Sequence, residues 1–337
     1  MQLFELTRAL IDIESITENE EHVGNFLADQ LAPLAARFDG RIEKMPVEKN
    51  RFNVLAQWGD PVVTFSTHMD TVPPFFPSSE GDQFIHGRGA CDTKGIIAAM
   101  ITAATDLLEA GVRGIALLFV VGEERNSAGA YMAAANGRGS RFLINGEPTE
   151  NKLALGSKGA LRVEVAAHGR MAHSAYPELG ESAIEKLIDA LCEIRRAPLP
   201  VDPILGASTL NIGTITGGRA PNVIPDHACA ELMIRLVDDG QTTRVALARA
   251  VQGRAEINEV LAIPALHLES LPGIETTVVA YTTDIPAFHG AWGRPFLLGP
   301  GTIHVAHTAE ERVPKAQLSE AVEIYKNMVQ QLIRGSE

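Results

Sequence analysis

Residues 115–124 read IALLFVVGEE: seven apolar side chains in a row, then Gly122, Glu123 and Glu124. An apolar run this short cannot cross a membrane, which takes ~20 residues. Ended by a glycine, it is the pattern of a strand buried on both faces, as in the middle of an α/β sheet. Two adjacent acids at the carboxyl end of such a strand then stand where α/β sheets bind ligands. An exposed pair of loop acids is the alternative reading.

The surrounding sequence supports the sheet. Residues 53–58 and 62–67 read as strands, Gly95–Glu109 as a helix closed by Gly111, 127–135 as an Ala-rich helix and 141–145 as a further short strand. Residues 1–14 mix Glu5, Asp12 and Glu14 with apolar residues, the pattern of an amphipathic helix and not of a hydrophobic targeting segment. Strand and helix alternation of this kind predicts an α/β class with a mostly parallel sheet. After Asn151 the character changes: 159–167, 209–215 and 228–237 alternate like antiparallel strands, and 182–195 and 242–251 read as helices. From about Leu266 the first pattern returns, with a strand at 295–298 and a closing helix at 317–332. The expected organisation is a discontinuous catalytic domain, 1–156 and 264–337, interrupted by an inserted α+β domain at 157–263.

Composition narrows the class. The 337 residues are 45% hydrophobic and 21% charged, which excludes disorder. Lys and Arg total 29 against 42 Asp and Glu, a net charge of -13, so a nucleic-acid partner is not expected, and neither is a membrane. Three scattered cysteines, Cys91, Cys192 and Cys229, point to a reducing, cytoplasmic setting with no disulfide framework.

The residues able to carry chemistry follow the strands. His68 and Asp70 end the strand at 62–67, and alternate residues of an extended chain share a face, so Asp70 can hold one imidazole nitrogen and leave the other for a metal. Residues 87–95, GRGACDTKG, run into the helix Gly95–Glu109; Asp92 is either that helix's cap or a carboxylate shown to a metal. Glu147 follows the strand at 141–145, and His304 and His307 follow the one at 295–298. Two histidines and three or four carboxylates converging on one sheet edge suit a dinuclear zinc-type site, with one glutamate left over as a base.

HMD at 68–70, GRGACDTKG at 87–95, GEE at 122–124, GEPT at 146–149 and GPGTIHVAHTAEE at 299–311 together resemble the co-catalytic zinc deacylases and exopeptidases. That family includes acetylornithine deacetylase, succinyl-diaminopimelate desuccinylase, the aminoacylases and glutamate carboxypeptidase. The resemblance implies two zinc ions, with cobalt or manganese able to substitute. His68 and Glu147 would hold one, Glu124 and His307 the other, and Asp92 would bridge them. It further implies that Asp70 orients His68, that Glu123 is the general base, and that His173 stabilises the reacting carbonyl oxygen. Asn222 and Arg235 would contact substrate, Arg235 as a carboxylate clamp. The inserted domain would act as a lid and as the interface of a homodimer. The implied reaction is hydrolysis of an amide bond next to a free carboxylate. Substrates follow in the order N-acetyl amino acid, succinyl-diaminopimelate or another N-acyl amino acid, then a dipeptide or short peptide. A homologue that binds metal without catalysis is the alternative from another class.

Overall fold

The computed structural model describes residues 1–335; residues 336–337, the end of the expected catalytic stretch, lie outside them. The chain divides into two compact units: residues 1–154, 268–277 and 283–335 in the first, and 155–267 with 278–282 in the second.

The first unit is built on a six-stranded sheet in the spatial order Arg41–Glu48, Arg51–Trp58, Ile115–Val120, Val63–His68, Phe142–Asn145, Arg294–Leu297. The last four strands pair in parallel, while the first two are antiparallel to each other and Arg51–Trp58 is antiparallel to Ile115–Val120. The sheet is therefore mixed, with three of its five pairings parallel and an antiparallel pair of strands added at one edge. A tight hairpin, with Asn50 at φ 60, joins the first two strands, and only antiparallel neighbours can be joined so briefly. Arg41–Glu48 escapes sequence reading because it is an edge strand: Met45 alone of its residues is buried, and Pro46 is tolerated there.

Every residue of Ile115–Val120 is buried, and the pleat divides the run between two apolar layers. Leu117 and Phe119 pack with Ile97, Ala104 and Leu108 of the helix Gly95–Glu109 and with Tyr325 and Met328 of the helix Lys315–Arg334. Leu118 and Val120 face Ala130 and Ala133 of the helix Ala128–Ala134, with Phe288 and Trp292. That two-sided burial is why the sequence shows a continuous run and no alternation.

The second unit holds a four-stranded antiparallel sheet in the order Thr209–Gly217, His227–Leu236, Gly159–His168, Glu256–Ile263. The helices Ala183–Arg196 and Gln241–Val251 cover one face; Leu187, Ile194 and Leu247 meet Leu161, Val163 and Val165 there. Among the described residues no helix is long and apolar enough to cross a membrane.

Candidate metal centre

Three parallel strands adjacent in the sheet deliver the first ligands. Val63–His68 ends in His68 itself, Ile115–Val120 runs into Glu123 and Glu124, and Phe142–Asn145 into Glu147. Parallel register puts those carboxyl ends on one edge. Asp92 comes from the irregular turn before the helix Gly95–Glu109, at φ -125 and ψ 80, after which the Asp92–Thr93 peptide is cis. Lys94 and not Asp92 stands at the start of that helix, and no side chain caps it. Of the two readings of Asp92, the cap is thereby excluded.

The Asp92 carboxylate lies between two imidazoles: Oδ1 is 3.0 Å from His68 Nε2, and Oδ2 is 3.3 Å from His307 Nε2. His307 Nε2 is also 3.0 Å from Glu124 Oε1, and Glu147 Oε1 stands 4.0 Å from His68 Nε2. Single donor atoms of His68, Asp92 and Glu124 lie within 4.8 Å of one another. Glu147 Oε1 is buried and has no hydrogen-bond partner among the described residues. Nitrogen and carboxylate oxygen donors gathered this closely, one of them buried and unsatisfied, suit divalent zinc-type metals.

The electrostatics agree. Burial pushes the Glu147 carboxyl well above its ordinary value, and desolvation does the same for Glu123 and, to a lesser degree, Glu124. Burial works against a charged His68, but its bonds to Asp70 and Asp92 and the nearby Glu123 and Glu147 hold it well above the usual range. Hydrogen bonds to Asp92 and Glu124 raise half-exposed His307 to about 10. Burial opposes ionisation of Asp92 too, yet the bonds from His307 and His68 keep it below the ordinary carboxylate range. Protons and imidazolium thus balance a cluster of acids, and a bound cation would take over that task.

Asp70 does more than the sequence suggested. His68 Nδ1 bonds the Asp70 main-chain carbonyl at 3.0 Å, while the Asp70 carboxylate stands 3.5 Å away. That carboxylate accepts instead from the backbone N–H groups of Gly122 at 3.0 Å, Glu123 at 3.1 Å and Glu124 at 3.2 Å, and from the Thr17 hydroxyl at 2.8 Å. It fastens the turn that presents both glutamates. Gly122 has φ 82, and a Cβ there would stand 2.9 Å from Arg51 Nη2, so this turn needs glycine.

Residues 64–331 match the model of Peptidase family M20/M25/M40. The chain belongs to that family. A peptidase M20 domain-containing protein of Schizosaccharomyces pombe is 39% identical over 98% of this chain and 85% of its own length. A protein of Aspergillus fumigatus named "Probable carboxypeptidase" is 37% identical over 97% of this chain and 86% of its own. Among solved structures, a Staphylococcus aureus tripeptidase superposes with a TM-score of 0.85 at 21% identity, covering 99% of this chain and 98% of that one, a likeness of fold. The M20 chain is accordingly a hydrolytic enzyme of metallopeptidase type.

Of the other residues singled out in the M20 sequence, His173, Asn222 and Arg235 lie in the second unit. His173 is exposed, and its Nδ1 accepts from Ala175 N–H at 3.1 Å. Its short strand pairs with Val223–Ile224, and Ser174 N–H bonds the Asn222 carbonyl at 3.0 Å, so the two motifs zip together. Arg235 is half-buried in the strand His227–Leu236 and its guanidinium makes no hydrogen bond or ion pair among the described residues, so it is not the ordinary strand salt-bridge partner. In the first unit, His304 is exposed.

Two buried acids of the first unit were not foreseen. Asp284 is 1% exposed, and neither carboxylate oxygen has a hydrogen-bond partner among the described residues. Burial pushes it up to about 7, against the pull of the His68 charge. In sequence it reads as one Asp before an apolar turn, with no spacing to mark it. Glu311, at the end of the fifth motif, is also 1% exposed and pairs with Arg88.

Proposed function

We propose that this M20 enzyme hydrolyses the amide bond next to a free carboxylate in a short peptide, as a carboxypeptidase or dipeptidase. The convergence of His68, Asp92, Glu124, Glu147 and His307, with Glu123 left over beside them, carries the reading. The carboxypeptidase name of a relative 37% identical over nearly the whole chain favours a peptide substrate.

In this reading His68 and Glu147 would hold one metal and Glu124 and His307 the other, with Asp92 serving both. A divalent metal, when bound, would supply Lewis acidity for the reacting carbonyl and the attacking water. Glu123 takes the proton of that water and returns it to the departing amine. Its desolvated carboxyl, raised above the ordinary range, is suited to moving a proton in both directions. His173 donates to the developing oxyanion, the Asn222 amide binds substrate, and the unpaired Arg235 guanidinium takes the free carboxylate in a bidentate grip. The edge strand Thr209–Gly217, exposed over most of its length with Ile215 at 62%, favours a homodimer through the second unit.

A second reading, deacylation of N-acyl amino acids such as N-acetylornithine, rests on the GPG…AHxxxE ending at 299–311. One assay separates the two: amine release by the zinc- or cobalt-loaded protein from dipeptides, C-terminally amidated dipeptides, N-acetylornithine, N-acetylmethionine and N-succinyl-diaminopimelate. Free dipeptides should be cleaved and their amides should not. Activity confined to N-acyl amino acids would favour the second reading. Equal cleavage of the amides would remove the carboxylate from the mechanism.

A further inference from the structure

The fifth motif brings two residues to the first unit's centre, and only His307 has been assigned a task. Glu311 follows four positions later, fully enclosed, with its carboxylate and its main-chain carbonyl turned onto the GRGACDTKG loop. Its main-chain carbonyl accepts from Gly87 N–H at 3.1 Å. Its Oε1 accepts from Asp92 N–H at 3.3 Å and stands 3.8 Å from the Cys91 thiol, 219 and 220 residues away in sequence. Its Oε2 takes Nη1 of Arg88, itself 1% exposed, braced by Nε on the Pro74 carbonyl at 3.2 Å and stacked 4.9 Å above the Phe76 ring.

A buried ion pair adds little net stability over apolar residues of the same size, so stability alone does not account for an acid here. What the acid supplies is direction: one side chain grips Arg88, Cys91 and Asp92 at once. His307, held at φ 64, then has its Nε2 within 3.0 Å of Glu124 and 3.3 Å of Asp92. Asp92 and His307 belong to different loops, and Glu311 is the residue of the His307 loop that bonds the Asp92 amide.

We propose that Glu311 is a positioning residue that sets the separation of Asp92 and His307 and thereby the affinity of one of the two metal positions. This rests on the ligand assignment made under the proposed function. The metal governed more strongly is the one assigned to Glu124 and His307, because Glu311 there acts on both Asp92 and the His307 loop; the His68 and Glu147 position shares only Asp92, its other two ligands being carried by strand ends that Glu311 does not touch.

The test is a calorimetric titration of metal-free protein with zinc, comparing wild type, Glu311→Gln and Glu311→Asp, each first checked for fold by circular dichroism. Glutamine keeps the volume and can still accept from Asp92, but it loses the charge facing Arg88. Aspartate keeps the charge and draws back by one methylene. In each folded variant one zinc step should weaken by about 10- to 100-fold, the usual effect of a residue behind a ligand, with the other step within about threefold. A merely structural role would lower the melting temperature and weaken both steps together, and that result overturns the proposal. So does an unchanged titration in a folded variant. A wild-type chain that binds fewer than two equivalents overturns the ligand assignment itself, and this proposal with it.

Discussion

Replacing Asp70 with asparagine changes one atom's chemistry and leaves shape intact, and the structure says what that atom does. Oδ1 accepts from the amides of Gly122 and Glu123, Oδ2 from the amide of Glu124 and the Thr17 hydroxyl. A carboxamide has one accepting oxygen. Its least damaging orientation puts the NH2 where Oδ2 was, since the Thr17 hydroxyl can turn round and accept. Glu124 N–H then faces another donor, and a buried unsatisfied donor costs about 1–3 kcal/mol. The two bonds left at Oδ1 pass from a charged to a neutral acceptor, a loss of roughly 1 kcal/mol each. The sum, about 3–5 kcal/mol, falls on the opening of the turn at 122–124. At 1.4 kcal/mol per decade, amide exchange there should quicken by roughly two to three and a half decades. Hydrogen exchange of the metal-free protein at pH 7, read by mass spectrometry on a peptide spanning this turn, measures it, with the helix Gly95–Glu109 as internal reference. Burial opposes ionisation of Asp70, but the adjacent His68 ring and the bonds from Thr17 and the Glu124 amide hold the carboxyl below the ordinary range. The stabilisation is therefore complete above the unfolded value of about 3.9 and is lost as pH falls through the folded one, so the two proteins should converge in acid. Exchange at the turn within about threefold of wild type at pH 7 would refute the reasoning.

Asp284→Asn should stabilise the metal-free protein at pH 8 and not at pH 4. The folded carboxyl is raised from 3.8 to about 7, so wild type loses stability as pH climbs between those values, by at most about 4 kcal/mol. Urea midpoints at the two pH values check it, and an equal difference at both would remove the buried charge as the cause. Zinc loading near pH 7.5 should release at least one proton per chain, because His307, held up to about 10, must give up its proton to bind. Titration heats in buffers of different ionisation enthalpy count the protons, and buffer-independent heats would contradict the assignment.

Much of the architecture is written in short-range pattern. The helix Gly95–Glu109 begins and ends where glycines and apolar spacing place it, and the run at 115–121 announces a strand covered on both sides. Elements whose pattern is broken were missed. The helix Glu21–Arg37 carries Pro33 inside it and Gly24 near its start, yet Val23, Leu27 and Leu31 line its buried face. Arg41–Glu48 has an edge strand's weak alternation. Motif residues could be named because each follows a recognisable strand or glycine turn.

By itself, the sequence determined which residue types end the apolar strands, and so which kind of chemistry the chain can support. Only tertiary structure decided what each of them touches. Asp70 holds the backbone of the turn at 122–124 more closely than it holds the His68 ring, because that loop folds over the strand end. Asp284 and Glu311 became part of the centre's surroundings because packing enclosed them, and one was left without a partner while the other gained three. Hydrogen bonds and burial depend on atoms brought within a few ångströms by sheet register and loop closure, and a linear pattern carries neither.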